Sequence, residues 1–134
     1  MTNPHIDPKI FKKFHVELAY LFGSRAKGNA SAGSDYDIAV LFGKESADSL
    51  AMKETTFLSL ELKKYFPERL EIVSLNDAPL LLQYEVVAHG QSLYCEDGKE
   101  RIAFEVLVIK KYIDEQPLRD LYNQTLHQRI RQRP

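Results

Sequence analysis

Apolar positions in this chain follow two periods, which alternate from the N-terminus to the C-terminus. Runs that are apolar on both faces, or that alternate every second residue, are typical of strands, whereas spacings of three and four residues are typical of helices. These patterns predict strands at 17–22, 35–42, 69–75 and 91–95. They predict helices at 8–15, 49–66, 77–89 and from 98 onward, with one helical turn at 25–30.

Residues with capping chemistry mark the ends of several predicted helices. Asp97 and Glu100 form a capping-box pattern at the start of the long C-terminal helix. We expect Asn76 to cap the helix over 77–89 and Gly90 to follow its last turn.

A stripe of β-branched residues runs along the C-terminal helix, and we expect it to be the core-facing side. Its members are Ile102, Val106, Ile109 and Ile113. Their β-branched content would also suit a strand, but length and capping favour a helix. Pro117 is expected to break or kink this helix. The more polar helix that follows, over 118–131, is expected to contact a partner protein.

The alternation of strands and helices indicates an α/β or α+β fold, with a mixed sheet of about four strands flanked by helices. About a dozen residues separate the first two strands, which is enough for a parallel crossover or an antiparallel return. Both arrangements remain open at this stage. A chain of 134 residues suits one domain over 1–134, with 97–134 as a C-terminal helical extension.

The charge and cysteine content narrow the classes of function. The net charge of −1 provides no strong positive field, which makes a nucleic-acid partner unlikely on electrostatic grounds. Cys95 is the only cysteine, so no internal disulfide can form, and a cytoplasmic location is expected. No apolar run approaches the roughly 20 residues that cross a bilayer, and no membrane partner is expected.

Two carboxylates open the second predicted strand. Asp35 and Asp37 are two residues apart, so their side chains point to the same face, about 6.5–7 Å apart along the strand. Carboxylates at that spacing can converge on one or two divalent cations, with Mg²⁺ expected and Mn²⁺ as a substitute. An Asp-x-Asp sequence is also a common solvated strand start, so the pattern alone leaves both interpretations open.

A glycine and a serine end the first predicted strand. Gly23 would allow the backbone to approach a phosphate, and Ser24 adds a hydroxyl donor beside free backbone amides. Arg25 supplies a cation next to them. The alternative is an ordinary Gly-Ser turn.

Taken together, Gly23-Ser24, ten intervening residues and Asp35-x-Asp37 resemble the signature of the minimal nucleotidyltransferases in the DNA polymerase beta superfamily. The resemblance implies ATP as substrate and a third carboxylate on a later strand, which binds metal and can accept the proton of the attacking hydroxyl. Glu71 stands at that place, where the family usually has Asp. Gly23, Ser24 and Arg25 would then contact the phosphates, and Asp35, Asp37 and Glu71 would hold the metal.

Chain size and pattern are similar to those of the antitoxins in HEPN/MNT toxin–antitoxin pairs. The resemblance implies transfer of AMP from ATP to a tyrosine of a HEPN-domain ribonuclease toxin, in a homo- or hetero-oligomer. Two alternatives stay open. One is a small-molecule nucleotidyltransferase of the aminoglycoside type, and the other is a toxin-binding module without catalysis, with Glu71 as a sign of decay.

Overall fold

The computed structural model describes residues 5–23, 35–43, 48–66 and 69–132. Four strands lie in these ranges, namely β1 (Val16–Phe22), β2 (Tyr36–Phe42), β3 (Leu70–Ser74) and β4 (Gln91–Cys95). The helices are α1 (Pro8–Lys13), α2 (Asp48–Leu62), α3 (Leu80–His89), α4 (Gly98–Asp114) and α5 (Gln116–Gln132), and a 3₁₀ turn, Lys63–Tyr65, extends α2.

The four strands form one mixed sheet with the order β3-β2-β1-β4. Strand β1 is antiparallel to both of its neighbours, and β2 and β3 are parallel. The connection between the first two strands is therefore the antiparallel return that the sequence left open. Because β1 and β2 lie in the centre of the sheet, their apolar residues are covered on both faces.

Helices cover the two faces of the sheet and enclose two groups of buried side chains. On one face, α1 and α2 contribute Phe11, Leu58 and Leu62 to a cluster around Val40, and the rings of Phe11 and Tyr94 stack 4.9 Å apart. The other face carries a smaller cluster, which consists of Leu18, Tyr20, Ala39, Leu75 and Val86, with Phe104 of α4 beside it.

Asn76 extends the sheet instead of capping a helix, so the predicted cap is wrong. Its side-chain Oδ1 accepts a hydrogen bond from the backbone N–H of Phe42 at 2.9 Å, and its Nδ2 donates to the carbonyl of Phe42 at 3.0 Å. The amide thus takes the place of a further β3 residue beside β2. Helix α3 starts later than predicted, after Pro79, and no side chain caps it.

The start of α4 agrees with the sequence, but its break lies earlier than expected. Asp97 is the N-cap residue, and its side chain accepts a hydrogen bond from the backbone N–H of Lys99 at 2.9 Å. The helix ends at Asp114, and α5 begins at Gln116. Pro117 lies in the first turn of α5, where a missing N–H costs nothing.

The predicted core face of α4 is wrong. The stripe formed by Ile102, Val106, Ile109 and Ile113 is 38–63% exposed. The helix instead turns Phe104 and Val108 inward. A polar contact fixes this rotation, because the buried hydroxyl of Tyr20 donates to Glu105 Oε1 at 2.8 Å. Burial, and then the hydrogen bond to Glu105, raise the pKa of Tyr20, so the phenol stays a donor.

The contact between Tyr20 and Glu105 generates a prediction about stability. Replacing Glu105→Leu would leave the buried Tyr20 hydroxyl without its acceptor, so we expect a loss of about 1–3 kcal/mol in the free energy of unfolding. The double variant, Glu105→Leu with Tyr20→Phe, should lose less unfolding free energy than Glu105→Leu alone, because the buried hydroxyl donor of Tyr20 is then absent. Urea denaturation of the three variants checks this. A double variant less stable than the single one would contradict it.

Candidate active site

The strand directions bring three chain segments to one edge of the sheet. Strand β1 ends at the edge where β2 and the parallel β3 begin. The register places Asp37 opposite Phe22 of β1 on one side and opposite Glu71 of β3 on the other. Strand order alone suggested Glu71 as the third carboxylate, and the register places its Cα directly beside that of Asp37.

The start of β2 is held in place by packing on the opposite face of the sheet and by a hydrogen bond to the residue before β3. The ring of Tyr36 packs on that of Phe66, with centroids 4.7 Å apart, within the cluster beneath α1 and α2. Its backbone N–H donates to the carbonyl of Arg69 at 2.8 Å. Since side chains alternate along a strand, anchoring Tyr36 in the core turns Asp35 and Asp37 to the other face.

The three carboxylates interact electrostatically. Burial raises the pKa of Asp37, and the negative charges of Glu71 and Asp35, with a side-chain hydrogen bond to Glu71, raise it further. Asp35 and Asp37 are half-buried, whereas Glu71 is exposed. The edge of the sheet therefore concentrates negative charge at the end of β1, as a site that attracts cations would.

Gly23 lies directly against this cluster. Its φ is +79°, a left-handed conformation that favours glycine. A Cβ added there would stand 2.6 Å from Oδ2 of Asp37. The backbone at the end of β1 thus approaches the Asp37 carboxylate so closely that any side chain at Gly23 would displace it.

The donor chemistry fits a hard divalent cation, because carboxylate oxygens are the ligands that Mg²⁺ prefers and because a cation would relieve the repulsion at Asp37. Asp35, Asp37 and Glu71 are the side chains that would hold it. The arrangement is not a closed cage: across the described ranges, no group of three or more His, Cys, Asp or Glu side chains is positioned to hold a metal ion as it stands.

Ser24 and Arg25, the other predicted phosphate contacts, lie outside the described residues. One cation that the sequence pattern did not single out stands beside the carboxylates. Arg69 Nη2 is 4.0 Å from Glu71 Oε1, and both side chains are largely exposed. In the sequence, the one feature that could have pointed to Arg69 is its position two residues before Glu71, a spacing that places both side chains on the same face of an extended segment.

Two curated relatives resemble this chain over most of its length. The protein adenylyltransferase MntA of Aphanizomenon flos-aquae is 34% identical over 101 residues, which are 71% of this chain and 67% of the relative. The protein adenylyltransferase MntA of Shewanella oneidensis is 32% identical over 97 residues, 72% of this chain and 66% of the relative. This chain therefore spans about two thirds of the length of each relative.

A solved structure shares the fold. A crystal structure of a toxin–antitoxin with AMP-PNP contains a chain that is 26% identical to this one, with a TM-score of 0.70 over 89% of this chain and 94% of that chain.

None of the helices in the described part of the chain is both long and apolar enough to cross a membrane.

A family match covers all the strands at the candidate site. These are β1, which ends before Gly23, β2, which begins beside Asp35 and Asp37, and β3, which contains Glu71. Residues 6–99, more than half of the 134-residue chain, match the family described as polymerase beta nucleotidyltransferase. The matched range runs from the N-terminal side of α1 through the whole sheet to the start of α4. This chain therefore belongs to the polymerase beta nucleotidyltransferase family.

Proposed function

We propose that this chain is a protein adenylyltransferase that transfers AMP from Mg·ATP to a tyrosine of a HEPN ribonuclease toxin, and so acts as its antitoxin. The observation that carries the proposal is the register at the sheet edge, where Asp37 lies between the backbone of Gly23 and Glu71. The names of the two curated relatives and the toxin–antitoxin structure with AMP-PNP support the choice of substrate and partner.

The residues of the site would divide the work of this reaction. Asp35 and Asp37, together with Glu71, would hold the cation, which neutralises charge on the triphosphate when bound. Gly23, with Ser24 and Arg25, would seat the distal phosphates. Glu71 would accept the proton of the tyrosine hydroxyl as its oxygen bonds to the α-phosphorus and the bond to pyrophosphate breaks.

The geometry argues against the non-catalytic alternative. In a site that had lost its catalytic activity, nothing would select for a left-handed glycine against Asp37 or for the unfavourable repulsion between Asp37 and Glu71. Because ATP is the proposed substrate and Cys95 is the only cysteine, we place the reaction in the cytoplasm.

The paired aspartates provide the first test of this function. Replacing Asp35→Asn and Asp37→Asn together should abolish Mg·ATP binding and AMP transfer, because neutral amides lose the charge that attracts the cation. In EDTA the melting temperature should stay equal or rise, since burial and repulsion penalise the charged form of Asp37. Calorimetry and thermal denaturation measure both effects. An unchanged affinity for Mg·ATP would contradict the site.

Gly23 provides the second test, with Gly98 as its control. Gly23→Ala should reduce kcat/KM for AMP transfer by about a hundredfold or more, because the new Cβ would push the Asp37 carboxylate away by about 1 Å. A Cβ at Gly98 meets nothing within 4 Å, so Gly98→Ala should act like the unchanged chain. The measurement is the rate of AMP transfer by each variant. Comparable rates for Gly23→Ala and Gly98→Ala would contradict the proposal that the close contact between Gly23 and Asp37 matters for transfer.

Glu71 provides the third test. Glu71→Gln keeps an oxygen ligand but removes both charge and basicity, so transfer should fall by about 10²–10⁴-fold. Glu71→Asp should retain more activity than Glu71→Gln, because a carboxylate remains at the position. Mass spectrometry of AMP-tyrosine on the toxin gives the rates. If Glu71→Gln transferred AMP faster than Glu71→Asp, side-chain length rather than basicity would matter, and Glu71 would not be the base.

A further inference from the structure

Helix α4 has two apolar faces, and in the described part of the chain one of them is buried while the other is largely exposed. The second face is the α4 stripe, defined as Ile102, Val106, Ile109 and Ile113, with exposed fractions of 63, 57, 38 and 58%. Spacings of four, three and four residues are those of a seam between two helices. A concavity of about 350 Å³ lies on the stripe, lined by Val106, Ile109, Lys110, Ile113 and Asp114.

Helix α5 carries a second exposed apolar face beyond the break at Glu115. Its apolar residues recur every fourth position and form the α5 stripe, which consists of Leu118, Tyr122, Leu126 and Ile130 at 67, 67, 43 and 58% exposure. The helix is held at its start, where the Arg119 guanidinium lies 3.6 Å above the ring of Tyr112 and that ring stacks on Tyr84. Isolated helices of about this length are marginal in water, so α5 is suited to packing against a partner.

Charge indicates what covers the two stripes. Residues 1–115 carry 14 basic and 18 acidic side chains, whereas residues 116–134 carry four basic and one acidic. Lys99 stands one helical turn before Ile102, Lys110 lines the concavity on the α4 stripe together with Asp114, and Arg129 and Arg131 lie in the last turn of α5. The matching partner surface is therefore apolar with an acidic border. Two copies of this chain paired over the same surface would bring two basic segments together, which like charge disfavours.

We propose that the α4 and α5 stripes together form the docking surface for the toxin, which would cover them with an apolar helix face bordered by carboxylates. The identity of this partner rests on the proposed function, whereas the surface itself rests on the exposed stripes and their charge. Docking on the α4 and α5 stripes would hold the toxin on a part of the chain separate from Gly23 and the carboxylates at the edge of the sheet.

Two neighbouring residues of α4 form a matched pair for the test. Val106 lies on the stripe and Leu107 lies off it, and their exposed fractions are 57 and 51%. In calorimetry without nucleotide, using a HEPN-domain toxin as the probe, Val106→Asp should weaken binding by about tenfold or more. Leu107→Asp should change it by less than about twofold, as expected outside an interface. Equal effects of the two variants would overturn the proposal.

A second matched pair tests the charge of the partner. Lys110 lines the concavity on the stripe, and the adjacent Lys111 points to another side of the same helix. Lys110→Glu should weaken binding by about two- to fivefold at low salt, and the effect should shrink as salt screens the contact. Lys111→Glu should have no such effect. Tighter binding of Lys110→Glu would overturn the acidic border.

Two further measurements separate this proposal from the proposed function. Sedimentation of the chain alone tests the second-copy alternative: a dimer that Val106→Asp dissolves would overturn toxin docking. AMP transfer onto the toxin is scored independently. If Val106→Asp loses binding while the unchanged chain transfers no AMP, the docking surface stands and the transferase function falls. If Val106→Asp binds and transfers AMP normally, the docking surface falls and the function stands.

Discussion

The candidate active site at the edge of the sheet depends on one pairing, that of β2 with β3. The parallel register places Asp37 beside Glu71, while the antiparallel register with β1 places Phe22 on its other side and delivers Gly23 next to the carboxylate. A slip of one residue in β3 would turn Glu71 to the opposite face of the sheet, because side chains alternate along a strand. The pairing is secured by Tyr36, whose N–H binds the carbonyl of Arg69 and whose ring packs on Phe66.

The other end of β2 is secured differently. Beyond Ser74, Asn76 bonds both backbone groups of Phe42 through one side-chain amide, so β2 stays paired although β3 has ended. The two ends of β2 therefore have unequal roles: one presents charged groups to solvent, and the other is tied down. Repulsion among the carboxylates can be tolerated because the rest of the strand is buried and hydrogen-bonded.

Local sequence patterns predicted most of the sheet and placed the candidate site residues at one edge of it. The strands were recognisable because β1 and β2 are apolar on both faces. Gly23 follows the end of β1, and Asp35 and Asp37 stand at the start of β2. Residues far apart in sequence decided the features that were missed. The chain contains two stripes on α4 at helical spacing, and contacts with residues far away in sequence, such as the bond from Tyr20 to Glu105, 85 residues away, select the buried one. Asn76 looked like a cap because its partner, Phe42, is 34 residues distant.

The close approach at Gly23 also affects how this protein can change over generations. Every other amino acid has a Cβ, and a Cβ at this position would meet Oδ2 of Asp37 at 2.6 Å. Glycine here has no conservative replacement, so a single nucleotide change that replaces it would, under the proposed function, damage the chemistry and leave α4 and α5 untouched. A chain that binds its partner through the proposed surface without modifying it would thus be a single mutational step from the active one, and reversion would be equally short.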